Sequence, residues 1–474
     1  MHLIINKFAH YLSYIIYITF ISFILSGCNP SSTTKNTEQF SQQCHIVGLN
    51  ESIQVVYDYN NNHPNNSDGA YADNPVRPFL AYNDESWSVR WFASNSKGYC
   101  QSYGLPVSES VQDILAQIRY KINPDTGSCE TWVNSRFNES AGGPIPDLYP
   151  ASSYYNELWM VIPYTLDGVN VYSLVHNEYH IIPENVTDVY GNLTGAVSSN
   201  SAESFSLYQN ESTSNQPVIV APYPYTNPEG QGKGGMFAQT NIIKWGNYYY
   251  MLVNESINNF APNAPADVIC MYRTPDISNF TSWRGWNQQT NAFDIALVES
   301  YPANLTNPES YFCSAIPGLP AGFRFSWSYN VILHKFIIIG IDFNYNNTNQ
   351  AAFIYTLANL DPNTGVLSPA GNTNEPSQLE SYSIGLLRYV NSIESWQTNE
   401  SIDAQFYPSI LDPNSPKLSD TTAISSVIPG DLNFQYSGQS PYLYYTHMNP
   451  HNEESNRDGQ IRDIWRQKLD IQCQ

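Results

Sequence analysis

Apolar and aromatic residues recur in short runs separated by polar turns from about residue 70 to the end of the chain. Runs of that length, rich in Val, Ile, Tyr, Phe and Trp, read as strands rather than helices. They come in pairs, and the pairing repeats. Arg77–Tyr82 is followed by Ser88–Ala93, and Leu158–Tyr164 by Val169–His176. Asn241–Lys244 is followed by Tyr248–Val253, Phe323–Tyr329 by Lys335–Asp342, and Tyr407–Leu411 by Pro441–Thr446. Asp167-Gly168 and Gly246-Asn247 sit where hairpin turns are required, and Gly supplies the positive φ such turns need. Val107–Lys121, with Ser110, Ile114 and Ile118 along it, is the best helical candidate. These pairs predict an all-β fold, a five-bladed β-propeller with long loop insertions. Two β-sandwich domains are the competing architecture, but they need a linker, and the chain shows none beyond Cys44.

The first residues carry a different pattern. An apolar run from Tyr11 to Leu25 follows Lys7 and closes on Leu25-Ser26-Gly27-Cys28. The run falls short of the roughly 20 residues that span a bilayer. A positive start, an apolar centre and small residues at the end form a secretory signal, and the terminal Cys makes it a lipobox. The sequence therefore predicts a lipoprotein signal peptide over 1–27, a flexible tether over 28–45 and a propeller over 46–474. Cys28 becomes the lipidated first residue, which holds the protein to a membrane outside the cytoplasm. Asn29, rather than Asp, after that Cys favours the outer membrane.

Charge removes one class of partner. Twenty basic residues stand against 42 acidic ones, a net −22. A chain so acidic has no basic stripe for a phosphate backbone, so nucleic acid is not a partner. Aromatic residues reach 14% while charged residues are only 13%, which suits strands better than solvated helices.

Beyond Cys28 the chain has Cys44, Cys100, Cys129, Cys270, Cys313 and Cys473. An even number outside the cytoplasm favours disulfides, although six cysteines allow fifteen connectivities and buried free thiols are the alternative. Cys44 and Cys473 bracket the folded part and suggest one bridge. Nearness in sequence suggests Cys100–Cys129 and Cys270–Cys313 as the others. No Cys/His cluster points to a metal, and no phosphate-binding loop, GxSxG or HExxH motif is present. Neither a metal nor a cofactor is expected.

Candidate chemistry gathers at strand ends. His176-Asn177-Glu178-Tyr179 follows an apolar strand and places side chains able to bind or move protons in adjacent positions. A polar loop that satisfies only its own backbone is the bland alternative. Asp412 ends a short strand at a similar relative place. His176, Glu178 and Asp412 are therefore the catalytic candidates. Arg77 opens an otherwise apolar strand and, if buried, needs a partner; Asp73 or Asp412 would serve. Its role is either a clamp on a ligand or an ion pair between blades. Asp73, Asn241, Arg462 and Asp463 complete the binding candidates, although Arg462 and Asp463 suit a structural role before the last strand better. Asp276 reads as a turn cap before Asn279. The aromatics Trp245, Tyr248, Tyr249, Tyr250, Trp283, Trp286, Trp327 and Tyr329 offer sugar-stacking faces or, more simply, core.

Several strings carry a family resemblance: NPVRPFLAYND, LWMVIPYTLDGVNVYSLVHNEYH, FAQTNIIKWGNYYYMLV, MYRTPDISNFTSWRGW, YPSILDP and PYLYYTHMNP. Together they resemble a family of bacterial secreted proteins, five-bladed propellers related to arabinanases and levansucrases. The resemblance spans about residues 70 to 470 and implies a carbohydrate pocket on the propeller axis. The chain departs from that pattern. Arabinanase-type enzymes open the first blade with Asp-Pro and carry Glu-Gly-Pro on the third. Here the first blade reads Arg77-Pro78 and the third opens Gln239-Thr240-Asn241. Two readings stand: a glycosidase-like enzyme with other carboxylates, and a non-catalytic surface propeller that binds a glycan or a protein.

Overall fold

The run Lys335-Phe-Ile-Ile-Ile-Gly-Ile-Asp342 shows how the chain builds its layers. Side chains alternate across a strand, so a run that is apolar at consecutive positions must be covered on both faces. Phe336 and Ile338 enter one core with Trp327, Tyr250 and Leu252. Ile337, Ile339 and Ile341 enter another with Phe406, Ile410 and Leu443. Tyr248–Ser256 repeats the device: Tyr249, Met251 and Val253 pack with Trp159, Ile162 and Leu174, while Tyr250 and Leu252 face the opposite way. A fourth core joins Tyr444 and Ile464 to Leu80 and Val89. Each such side chain, fully buried, contributes about 1.5–3 kcal/mol.

The computed structural model describes residues 44–58, 74–83, 86–95, 98–106, 119–120, 132–134, 157–179, 189–208, 233–256, 268–296, 312–319, 323–342, 351–369, 381–388, 404–415, 430–448 and 462–473. Cys44–Cys473 forms one compact unit. Cys28, Asp73 and Cys129 lie outside the described residues, as does most of Val107–Lys121; within that helical candidate, Arg119–Tyr120 is a strand.

The architecture is all-β. One sheet holds Phe79–Asn83, Ser86–Asn95 and Gly98–Pro106, with Arg119–Tyr120 and Trp132–Asn134 at its edge. A larger sheet begins with Glu157–Thr165, Val171–Tyr179 and Val189–Ser198 and ends with Tyr248–Ser256, Val268–Thr274, Arg284–Asn287 and Ala292–Ala296. Its middle is a short parallel seam, where Val189–Gly191 pairs with Lys233–Gly235. Apart from that seam its ladders are antiparallel. The third sheet contains Phe323–Asn330, Lys335–Asp342 and Ala351–Leu360.

The last sheet joins the two ends of the described chain. Arg462–Cys473 pairs with Tyr442–Met448 on one side and with Cys44–Gly48 on the other. That register sets Cys44 opposite Cys473, and a disulfide links them across 429 positions, with Cα atoms 4.1 Å apart. Cys270 and Cys313 form a second disulfide, Cα to Cα 5.8 Å.

The expected aromatic platform is mostly core. Trp283 and Trp327 are 0% exposed, and Tyr249, Tyr250 and Trp286 are buried. Trp245, Tyr248 and Tyr329 are partly buried and pack against the same cluster as Trp327. Tyr248 is instead capped by the Arg273 guanidinium, 4.1 Å above its ring. Asp276 accepts from the Ser278 backbone N–H at 2.9 Å and so caps its turn.

Candidate functional site

Strand periodicity divides the HNEY cluster. Val171–Tyr179 continues as a strand through all of it, so His176 and Glu178 share one face and Asn177 takes the other. Asn177 is fully buried, and its side-chain amide donates to Asn192 at 2.7 Å. On the opposite face, His176 Nε2 lies 3.0 Å from Glu178 Oε1. The pair is largely enclosed, with 10% of the His176 side chain exposed and 17% of the Glu178 side chain. Trp159 and Phe237 flank the imidazole, each with its ring centre 5.5 Å away. Such apolar walls lower the local dielectric and strengthen the hydrogen bond they surround.

The third member is Gln239, which is buried. Its amide nitrogen lies 2.9 Å from His176 Nδ1 and 3.2 Å from the Met236 carbonyl. Ala238 just before it adopts φ +47. A non-glycine residue rarely enters that region without being held there by its surroundings. The kink falls between the strands Lys233–Phe237 and Ile243–Trp245. Close approach of two backbones seats this segment. At Gly191, a Cβ would collide with the Met236 carbonyl and come within 3.2 Å of His176. Its partner Gly235, at φ +93, would collide with Gly191 in turn.

Arg77 carries the site's buried cation. Its guanidinium donates to the carbonyls of Val161, Gln239 and Phe325, the last at 2.9 Å. The expected carboxylate partner is replaced by three backbone oxygens. Asp412 is engaged elsewhere: it accepts from the backbone N–H groups of Asn414 at 2.8 Å and Gly438 at 2.7 Å. An acceptor-only carboxylate suits a turn with two unsatisfied N–H groups, and a fork of N–H donors suits converging carbonyls. Burial pulls the Arg77 guanidinium down from 12.5 to about 9, which still leaves it charged at neutral pH.

The remaining candidates hold strands together, Asn241 between two sheets and the others within the last sheet. The Asn241 amide donates to the Trp327 carbonyl and accepts from the Trp327 N–H, both at 3.0 Å, in the manner of one more strand residue. Arg462 and Asp463 are buried and stand opposite Met448 and His447 in the ladder. Arg466 donates to Gln54 Oε1 at 2.8 Å. The structure thus gathers His176, Glu178 and Arg77 through Gln239, and leaves Asp412 and Asn241 in separate contacts.

Sequence reasoning did not single out Gln239 as a site residue. A polar Gln-Thr-Asn between apolar Met236-Phe237 and Ile242-Ile243 was the available signal. It also missed Glu255, fully buried against the Cys270–Cys313 disulfide, its Oε2 2.9 Å from Cys270 Sγ and 3.4 Å from Cys313 Sγ. Burial pushes that carboxyl from 4.5 up to about 8, so it is protonated at neutral pH and donates its O–H toward the sulfurs. Such a group is enclosed in the core and cannot meet a polymer.

No protein-family model matches the chain, and no curated protein matches it. Solved structures similar to it include glycoside hydrolases of several kinds. A family 117 glycoside hydrolase produced by the marine bacterium Zobellia galactanivorans matches with TM-score 0.38 and 9% identity, over 90% of each chain. The Bombyx mori GH32 beta-fructofuranosidase matches with TM-score 0.34 and 9% identity over 85% of this chain, which spans 60% of the length of that enzyme. A Cellvibrio cellulosa alpha-L-arabinanase, solved with arabinohexaose, matches with TM-score 0.30 and 9% identity over 64% of this chain and 76% of that one. Likenesses of this depth carry no argument about activity.

Proposed function

We propose that this protein is an exported lipoprotein whose body is a five-bladed β-propeller that recognises carbohydrate at its axis, with Glu178 and His176 as the polar anchor. The blade count is supported by the way the cores are shared. With the larger sheet divided at its parallel seam, the group of Glu157–Thr165 packs on that of Tyr248–Ser256, which packs on that of Lys335–Asp342, which packs on that of Tyr442–Met448, which packs on that of Phe79–Asn83. The group of Phe79–Asn83 also touches that of Glu157–Thr165, where Tyr82 donates its N–H to the Gly168 carbonyl at 2.9 Å. The export signal and the Cys28 anchor rest on the lipobox alone, and the outer membrane on Asn29.

The observation that carries the reading is the His176–Glu178 pair, a carboxyl oxygen and a ring nitrogen 3.0 Å apart between two aromatic walls. Few but fixed polar groups in an apolar frame are what small-ligand sites use to read hydroxyls. The sequence resemblance to arabinanase-related propellers supports the same ligand class. Hydrolysis is the second reading. A carboxyl hydrogen-bonded to an imidazole favours it, since that is a proton-transfer pair. A glycosidase needs a second carboxyl roughly 5–10 Å away. Of the buried acids described, Asp412 is committed to backbone N–H groups, Asp431 accepts from Asn433 and Gln435, Asp463 stands opposite His447 in the last sheet, and Glu255 lies against sulfur.

A glycan array with the mature chain, followed by hydrolysis assays on each hit, tests both readings. Glu178→Gln is expected to abolish binding, or turnover where there is any, with unfolding temperature nearly unchanged. Unaltered binding together with a large loss of stability would show that the pair only holds strands together.

A further inference from the structure

The geometry points to Gln239 as the positioning residue that fixes the protons of the anchor: its amide holds His176 in the neutral Nε2–H form, so that Glu178 meets a sugar as an ionised acceptor of hydroxyl protons. The inference rests on reading His176 and Glu178 as the ligand site, and it assigns that site its polarity.

The hydrogen-bond network determines which way the amide points. A backbone carbonyl can only accept, so the Gln239 atom 3.2 Å from the Met236 oxygen is the nitrogen. That NH₂ group has two hydrogens and no lone pair to offer. Its second hydrogen is directed at His176 Nδ1, 2.9 Å away, which must therefore accept. A neutral imidazole has one donor and one acceptor nitrogen. With Nδ1 accepting, the hydrogen lies on Nε2 and is donated to Glu178 Oε1 at 3.0 Å. Protonating Nδ1 would set an N–H against the hydrogens of the amide. The pair is thus an N–H donating to a carboxylate, which accepts from His176.

Gln239 is also held where it must be. Its main-chain carbonyl accepts from Arg77, and Ala238 beside it is fixed at φ +47. Changing the side chain leaves that carbonyl in place. In the hydrolytic reading the same logic gives Glu178 the base or nucleophile role and excludes it as the protonated acid.

The test is a long-range ¹H–¹⁵N NMR spectrum of the ¹⁵N-histidine-labelled mature chain at neutral pH, with His176 assigned through His176→Asn. The wild type should show a protonated Nε2 and a bare Nδ1. Gln239→Glu replaces the donor with an acceptor and should place a proton on Nδ1. Gln239→Leu removes the donor and should give averaged shifts from both tautomers, and it serves if the glutamate variant does not fold. A wild-type Nδ1–H, or a Gln239→Leu spectrum identical to wild type, would overturn the assignment. With a glycan from the array, Gln239→Glu should weaken binding by about tenfold, the worth of one good hydrogen bond. An array without hits would remove the carbohydrate reading and leave the tautomer assignment standing.

Discussion

Arg77 and Phe325, 248 positions apart, are joined by a hydrogen bond of 2.9 Å from Nη2 to the main-chain oxygen. The same guanidinium reaches Val161 and Gln239. One side chain just before Phe79–Asn83 therefore ties a strand of the larger sheet and the segment after Phe237 to the sheet that contains Phe323–Asn330. A planar fork of donors can serve converging carbonyls in a way that the compact ammonium of lysine cannot.

Replacing Arg77 by Met is expected to leave three buried carbonyls without a donor. Each orphaned acceptor costs about 1–3 kcal/mol, so the variant should lose roughly 3 kcal/mol or more in urea unfolding. Arg77→Lys should recover only part of it. A loss below about 1 kcal/mol, within the range of ordinary surface substitutions, would deny Arg77 the role of tie.

Glu255 makes stability depend on pH. Its carboxyl is raised to about 8 in the folded chain, against 4.5 ordinarily. Between those values the unfolded chain binds fewer protons than the folded one, so stability falls as pH rises. The contribution is fully present below about pH 4.5 and lost by about pH 8. Thermal unfolding at pH 5, 6.5 and 8 should show this decline in the wild type, and Glu255→Gln should flatten it. Parallel curves for the two proteins would contradict the buried acid.

The anchor prediction concerns Cys28. If the proposed lipobox holds, its acceptor is that residue alone, and Cys28→Ser should leave unprocessed precursor in the membrane without acyl label. Normal cleavage with unchanged labelling would dismiss the lipobox and leave the folded body untouched.

The elements of the fold were legible along the chain. Expected pairs such as Leu158–Tyr164 with Val169–His176 match the strands Glu157–Thr165 and Val171–Tyr179, joined by a turn at Asp167-Gly168, because alternation and turn residues act over a few positions. Position at the chain ends was enough to suggest Cys44–Cys473, and the strand register brings the two together. The HNEY cluster was visible, yet its division into a buried amide on one strand face and an enclosed His–Glu pair on the other was not, since that required knowing the strand runs through it. The tie made by Arg77 was misjudged for a related reason. Charge suggests a carboxylate partner, and only the assembled sheets reveal carbonyls closer at hand.

The sequence by itself determined the paired strands, their turns, the acidic net charge and the candidates His176 and Glu178. What the tertiary structure decided was company: Gln239 beside His176 across 63 positions, and Arg77 on Val161 and Gln239 across 84 and 162. Backbone dihedrals and side-chain alternation respond to neighbours in the chain, so a sequence displays them. Hydrogen-bond partners follow from which sheet faces which, and that depends on burying every apolar face at once.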